Sequence, residues 1–132
     1  MAGDARPIEY APFPDERTYT ELYANNVYFE PSGWDLKLIF GTLDQRDGKN
    51  LIRQHTAVSL AWPQAKIFFY WLKGYIEFQE HMNGKIIVPL GAIPAEAVPP
   101  TEEQKAADPN VQKVYEIFDK LRKEVIQDRT TK

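Results

Sequence analysis

The chain contains no cysteine. That absence excludes disulfides, thiolate chemistry and any zinc or iron–sulfur site built on sulfur ligands, and it suits a reducing cytoplasm. Histidine is nearly as scarce. His55 and His81 are the two, they fall on different predicted elements, and no HxxxH or HExxH pair exists. No acidic cluster converges by spacing to complete a metal site. There is no GxSxG turn, no phosphate-cradling GxxxxGK loop and no GxGxxG fingerprint. Positive charge is not in excess, with 16 Lys and Arg against 19 Asp and Glu and a net charge of -3. That balance argues against a broad nucleic-acid or anionic-membrane surface. Long apolar runs are missing too. The six residues from Ile67 to Leu72 fall far short of the roughly 18 needed for a membrane span. The opening "MAGDARPIEYAPFPDERT" has no apolar segment and three prolines, unlike a signal or transit peptide. The expectation is a protein without catalytic residues, cofactor, metal, nucleic acid or membrane.

Residues that mimic chemistry have simpler readings. Glu30, Asp44 and Asp47 fall at predicted turns, where acids are common. Tyr23, Tyr28, Trp34, Lys37 and Arg53 have the types needed to stack nucleic-acid bases, but in an acidic chain they read as ordinary strand residues.

What is present is enough for a core. A 132-residue chain with 43% hydrophobic residues reads as one domain. Residues 1–18 read as an extended Pro-rich arm with Tyr10 and Phe13 on it. Residues 19–132 read as a single α+β domain. In "YANNVYF", Tyr23, Asn25, Val27 and Phe29 alternate with Ala24, Asn26 and Tyr28, the period of a strand. Pro31-Ser32-Gly33 is a turn signal. Beyond it Trp34, Leu36, Leu38 and Phe40 share one face. Asp47-Gly48 is the next tight turn. Then Thr56, Val58, Leu60 and Trp62 face one way and His55, Ala57, Ser59 and Ala61 the other. The pattern predicts an antiparallel meander of three strands, or four if residues 8–20 add one.

Pro63 opens a helix, where proline loses no needed N–H, and Asn83-Gly84 closes it. Residues 85–100, with prolines at 89, 94, 99 and 100, read as an extended segment whose Ile86, Ile87, Val88, Leu90 and Ile93 need cover. Thr101 to Gln104 has the form of a capping box. Asp108-Pro109 signals a C-terminal helix over 109–127, with a seam of Val111, Val114, Phe118, Leu121 and Val125. The tail "QDRTTK" reads as solvated.

The 63–83 helix carries too much apolar surface for one face. At about 100° per residue, Lys66, Lys73, Glu77, Glu80, Tyr70 and His81 gather in one arc of roughly 100°. The remaining arc of about 220° is apolar except for Gln79, twice what a surface helix normally shows. Phe68 and Leu72 have a home on the sheet. Ile67 and Trp71 on one flank and Phe69 on the other still need a partner. That partner is either the chain's own 86–93 segment and C-terminal seam, or another molecule. Gly74 sits beside Ile67, Trp71 and Phe78 on the wheel. Its mid-helix glycine costs about 1 kcal/mol relative to alanine, and it would let another backbone come close. Ile67, Phe69, Trp71, Gly74 and Phe78 are therefore the candidate interface.

Three motifs carry a resemblance. They are Tyr23-Ala24-Asn25 at a strand opening, Asp35 to Gly41 in the pattern Asp-aliphatic-x-Leu-x-Phe-Gly, and Pro63-Gln64 at the helix start. Over about residues 22–83 the chain resembles a small bacterial family of uncharacterised proteins, a domain of unknown function. That resemblance implies no activity and assigns no catalytic residue. In layout alone the chain is similar to the SecB export chaperones: sheet, Pro-initiated helix, Pro-rich segment, final helix. This likeness implies assembly through helices and sheet edges, and binding of unfolded chains in apolar grooves. The expected function is a non-enzymatic, homo-oligomeric interaction module, most simply a C2 dimer. A SecB-like peptide- or client-binding role is the alternative.

Overall fold

A computed structural model describes residues 8–10, 21–45 and 48–130. Alternation of apolar and polar residues becomes a three-stranded antiparallel sheet in the order β1-β2-β3: β1 is Asn26–Pro31, β2 is Asp35–Asp44 and β3 is Leu51–Ala61. The long helix α1 (Trp62–Asn83), the short α2 (Glu102–Ala107) and α3 (Val111–Thr130) follow. This is the α+β class expected from the sequence. Most of the Pro-rich arm, including Phe13, lies outside the described residues, as does Asp47 of the second turn. Residues 8–10 have no regular structure, and Tyr10 is exposed. Contacts divide the chain into two compact units, Met1–Tyr70 and Trp71–Lys132, with the division inside the unbroken α1.

In the first unit, β1 meets β2 with Val27 opposite Phe40 and Phe29 opposite Leu38. Leu36, Leu38 and Phe40 lie opposite Leu60, Val58 and Thr56 of β3. Residues directly opposite in an antiparallel pair share a face, so these side chains form the apolar side. Leu38 sits at its centre, in the middle strand between Phe29 and Val58. It is 4% exposed, the one large apolar side chain buried among the described residues. The other side pairs Tyr28, Ile39 and Ala57, then Glu30, Lys37 and Ser59. The Lys37–Glu30 ion pair there spans 3.8 Å and is half-exposed, so it contributes little.

The turn between β1 and β2 is built on Ser32. Its Oγ accepts from the backbone N–H of Trp34 and Asp35 and donates to the Asp35 carboxylate. Trp34 is lifted off the apolar side and stands 88% exposed, because the turn ends the alternation before β2 begins. Trp62, read from the sequence as the last residue of the strand face, is instead the first residue of α1. Its Nε1 donates to the Ser32 carbonyl at 2.9 Å, tying the helix start to the first turn.

The register changes by one residue between Phe40–Thr56 and Gly41–Gln54, leaving His55 as the extra residue of a β-bulge. The bulge organises the "YAN" segment. His55 Nε2 donates to the Tyr23 carbonyl at 3.1 Å, and Thr42 Oγ1 donates to the same oxygen. Asn25 N–H donates to the Gly41 carbonyl, while the Asn25 side-chain oxygen accepts from Leu43 N–H at 2.8 Å. Residues 23–25 thus extend the sheet edge through side chains where regular pairing stops.

In the second unit, α1 ends at Gly84, whose φ of +90° is the left-handed conformation that favours glycine at a helix end. Glu80 reaches past the end to accept from Ile86 N–H at 2.9 Å. Extended residues then run to a single 3-10 turn, Leu90–Ala92. Prolines prevent this segment from joining a ladder, and its carbonyls take side-chain donors instead. Arg129 Nε donates to the Val88 carbonyl at 2.7 Å, Arg122 Nε to the Pro94 carbonyl at 2.9 Å, and Lys85 pairs with Asp128 at 3.3 Å. The segment is held by α3, and residues expected to form a solvated tail are helical through Thr130 because Arg129 is anchored.

The capping box at α2 is complete. Thr101 accepts from Gln104 N–H, and the Gln104 side chain accepts from Thr101 N–H. A six-residue helix cannot stand by propensity alone, so Thr101→Ala should cost about 1 kcal/mol. Hydrogen exchange at residues 102–107 should accelerate selectively. Unchanged exchange would deny the cap that role. α3 starts at Val111, two residues later than Asp108-Pro109 suggested. Asp108 first accepts from Asn110 N–H in a local turn, so Pro109 lies in the turn rather than in the helix.

Candidate functional site: an exposed apolar helix

The surface that sets this protein apart is α1. None of its 22 residues is buried. The expected cover from the chain's own C-terminal half does not enclose it: Trp71, Tyr75, Phe78 and Met82 all remain exposed in the unit that contains residues 86–93 and α3. Phe68 and Leu72, the residues assigned a place on the sheet, are also among the exposed large side chains.

The helical geometry sorts the five candidate interface residues. Ile67, Trp71, Gly74 and Phe78 follow one another at intervals of four, three and four and form one stripe. Phe69 lies about 190° from that stripe, on the far flank. Ile67, Trp71 and Phe78 are 50%, 57% and 60% exposed. Trp71 lies against Tyr75 with ring centroids 6.4 Å apart in a tilted arrangement. A Cβ built on Gly74 meets nothing within 4 Å among the described residues, and its φ is not positive. Among the described residues, neither local packing nor backbone conformation calls for glycine at this position.

A second apolar surface lies wholly within the second unit. Ala97, Val98 and Pro100 of the extended segment and Gln104 of α2, with Val111, Val114, Tyr115 and Phe118 of α3, line an open groove of ≈ 320 Å³. Of the α3 seam expected from spacing, Val111, Val114 and Phe118 line this groove while Leu121 and Val125 do not, and no residue of α3 is buried. Sequence periodicity located the seam. The groove required the placement of residues 97–100.

Charged chemistry is sparse. Among the described residues no group of three His, Asp or Glu side chains could hold a metal ion, and no helix is long and apolar enough to cross a membrane. His55 is engaged at the bulge, and His81 is exposed on α1. The Lys123 ammonium is held above its usual range by its 2.8 Å hydrogen bond to Asp119 and by that carboxylate's charge. The two residues stand one helical turn apart on α3, with the Lys123 side chain largely in solvent. Glu30, Asp44 and Lys37 are likewise tied into strand-to-strand pairs. Searched against protein-family models, curated proteins and solved structures, the chain matches none of them.

Proposed function

We propose that this chain is a non-enzymatic, homo-oligomeric interaction module that assembles through α1, most simply as a C2 dimer. The observation that carries the reading is the exposure of α1. Six aromatic rings between Phe68 and Phe78 are 43% to 67% exposed. Trp71, Tyr75 and Phe78 lie on or beside one face of the helix, and at roughly 150–250 Å² per enclosed ring they offer on the order of 350 Å² there, within the range of about 300–600 Å² for the largest, often functional, patch on a monomer. Leaving such side chains in water forfeits about 1.5–3 kcal/mol apiece, and a second copy restores it.

Light scattering at micromolar concentration should therefore report a mass of at least twice the 15.3 kDa chain. A monomer at that concentration would remove the proposal. A SecB-like client-binding role is the second reading, favoured by the open groove along Val98, Val114 and Phe118, a shape that suits an apolar peptide segment. On that reading the protein suppresses aggregation of an unfolded test protein, and Phe118→Ser weakens the suppression without changing the mass.

A further inference from the structure

We propose that Asn83 is a site of spontaneous covalent modification: its side-chain amide closes on the Gly84 nitrogen, and water opens the ring to aspartate and isoaspartate at the joint between α1 and the segment that follows. The proposal does not depend on what covers α1 and needs no partner.

The chain has five asparagines, and Asn83 is the one followed by glycine. Its side chain is exposed and has no hydrogen-bond partner among the described residues. Gly84 carries no Cβ, and the space where one would stand is open, so no side chain shields its nitrogen. The joint is also where α1 stops. Gly84 sits in the left-handed conformation, with φ of +90°, and its N–H donates to the Glu80 carbonyl at 3.0 Å. That bond holds the nitrogen back, but a helix end opens locally at little cost. The other asparagines are placed differently. Asn25 and Asn50 accept hydrogen bonds through their side chains. Asn26 and Asn110 precede valines, whose branched Cβ crowds the attacking nitrogen.

The chemistry balances with water as the one co-reactant. With the bond to Glu80 open, the Gly84 nitrogen loses its proton to solvent and attacks Asn83 Cγ. The new C–N bond closes a five-membered succinimide. The side-chain nitrogen takes a proton from solvent and leaves as ammonia. Water then adds to one ring carbonyl. Breaking the bond from the Gly84 nitrogen to Cγ gives aspartate. Breaking its bond to the Asn83 backbone carbonyl carbon gives isoaspartate, in which the main chain runs through Cβ. One water is consumed and one ammonia released.

Both products loosen the joint. Each places a carboxylate at the negative end of the α1 dipole. Isoaspartate also lengthens the backbone between residues 83 and 84, so the Gly84 N–H no longer registers with the Glu80 carbonyl. The next tie, from Ile86 N–H to the Glu80 carboxylate at 2.9 Å, is strained in turn.

The test ages the full chain at physiological temperature and neutral pH, then digests it with trypsin. Cleavage after Lys73 and Lys85 releases a peptide in which Asn83 is the one asparagine. Two products about 1 Da heavier are expected, isoaspartate the larger, while the other asparagines persist. In the folded chain the rate should lie within about tenfold of that in the same peptide free in solution. Glu80→Ala removes the tie to Ile86 and should speed conversion in the folded chain about threefold. Asn83 left intact after the free peptide has converted overturns the proposal. Aspartate without isoaspartate means direct hydrolysis and overturns the ring closure. A Glu80→Ala rate equal to wild type overturns the control of the reaction by the helix end. Should Glu80→Ala fail to fold, the wild-type time course decides by itself.

Discussion

Leu38→Ala should destabilise the protein by about 3 kcal/mol, the largest loss expected from removing any one side chain. Leu38 is the central residue of the apolar side of the sheet, with Phe29 and Val58 across the two ladders and Leu36 and Phe40 along its own strand. It alone among the described large apolar side chains is buried. Truncation removes its transfer free energy and leaves a hole bounded by backbone that two ladders hold in place, so the site cannot collapse to fill it. Urea unfolding at one fixed protein concentration measures the change, since the stability of an oligomer depends on concentration. Trp34→Ala is the control. Trp34 is larger but stands in water, and its loss should stay within about 0.5 kcal/mol. Similar losses at the two positions would mean that Leu38 is not the centre of a core.

Gly41→Val should cost a comparable amount, about 2–3 kcal/mol, by crowding rather than by vacancy. A Cβ built on Gly41 lies 2.8 Å from the Arg53 carbonyl oxygen, 3.2 Å from the Arg53 carbonyl carbon and 2.9 Å from Ile52 Cγ2. Two of those atoms are backbone in the neighbouring strand and cannot rotate away. Accommodating the side chain means opening the ladder at the bulge. That in turn moves His55 away from Tyr23, and with it the anchor of residues 23–25. The expected signature is therefore double: a lower urea midpoint, and faster exchange of the Asn25 and Leu43 amides, which hydrogen-bond at this site. Loss of stability without the exchange change would place the strain elsewhere.

These two positions show unequal legibility. Leu38 could be named from sequence because its alternation with Leu36 and Phe40 sets a face, and β2 lies between two other strand patterns. Gly41 could not. In sequence it is an isolated glycine after a strand, and its neighbour Arg53 is close only because β3 carries one extra residue. The same extra residue shifts the expected alternation upstream of Thr56. Trp34 and Trp62 failed as face residues for related reasons. Each sits at a junction, where Ser32 redirects the chain, and periodicity stops at a junction.

The helices divide similarly. The α2 capping box and the Gly84 stop were legible because a cap involves groups within about four residues. The straightening of residues 127–130 into α3 was not, since it depends on Arg129 meeting the Val88 carbonyl 41 residues away. The excess apolar arc of α1 was legible from the wheel alone. What the wheel left open was the exposure of that arc, and none of the 22 residues of α1 is buried.

By itself the sequence determined the element order, the apolar side of the sheet, the stop of α1 at Gly84, the cap of α2 and the surplus on α1. All of these are governed by interactions between residues a few positions apart. Only the tertiary structure decided the strand register, the bulge at His55, the clamp of α3 on the 85–94 segment and the open space beside Gly74. Those depend on which distant residues meet, and chain periodicity carries no record of that.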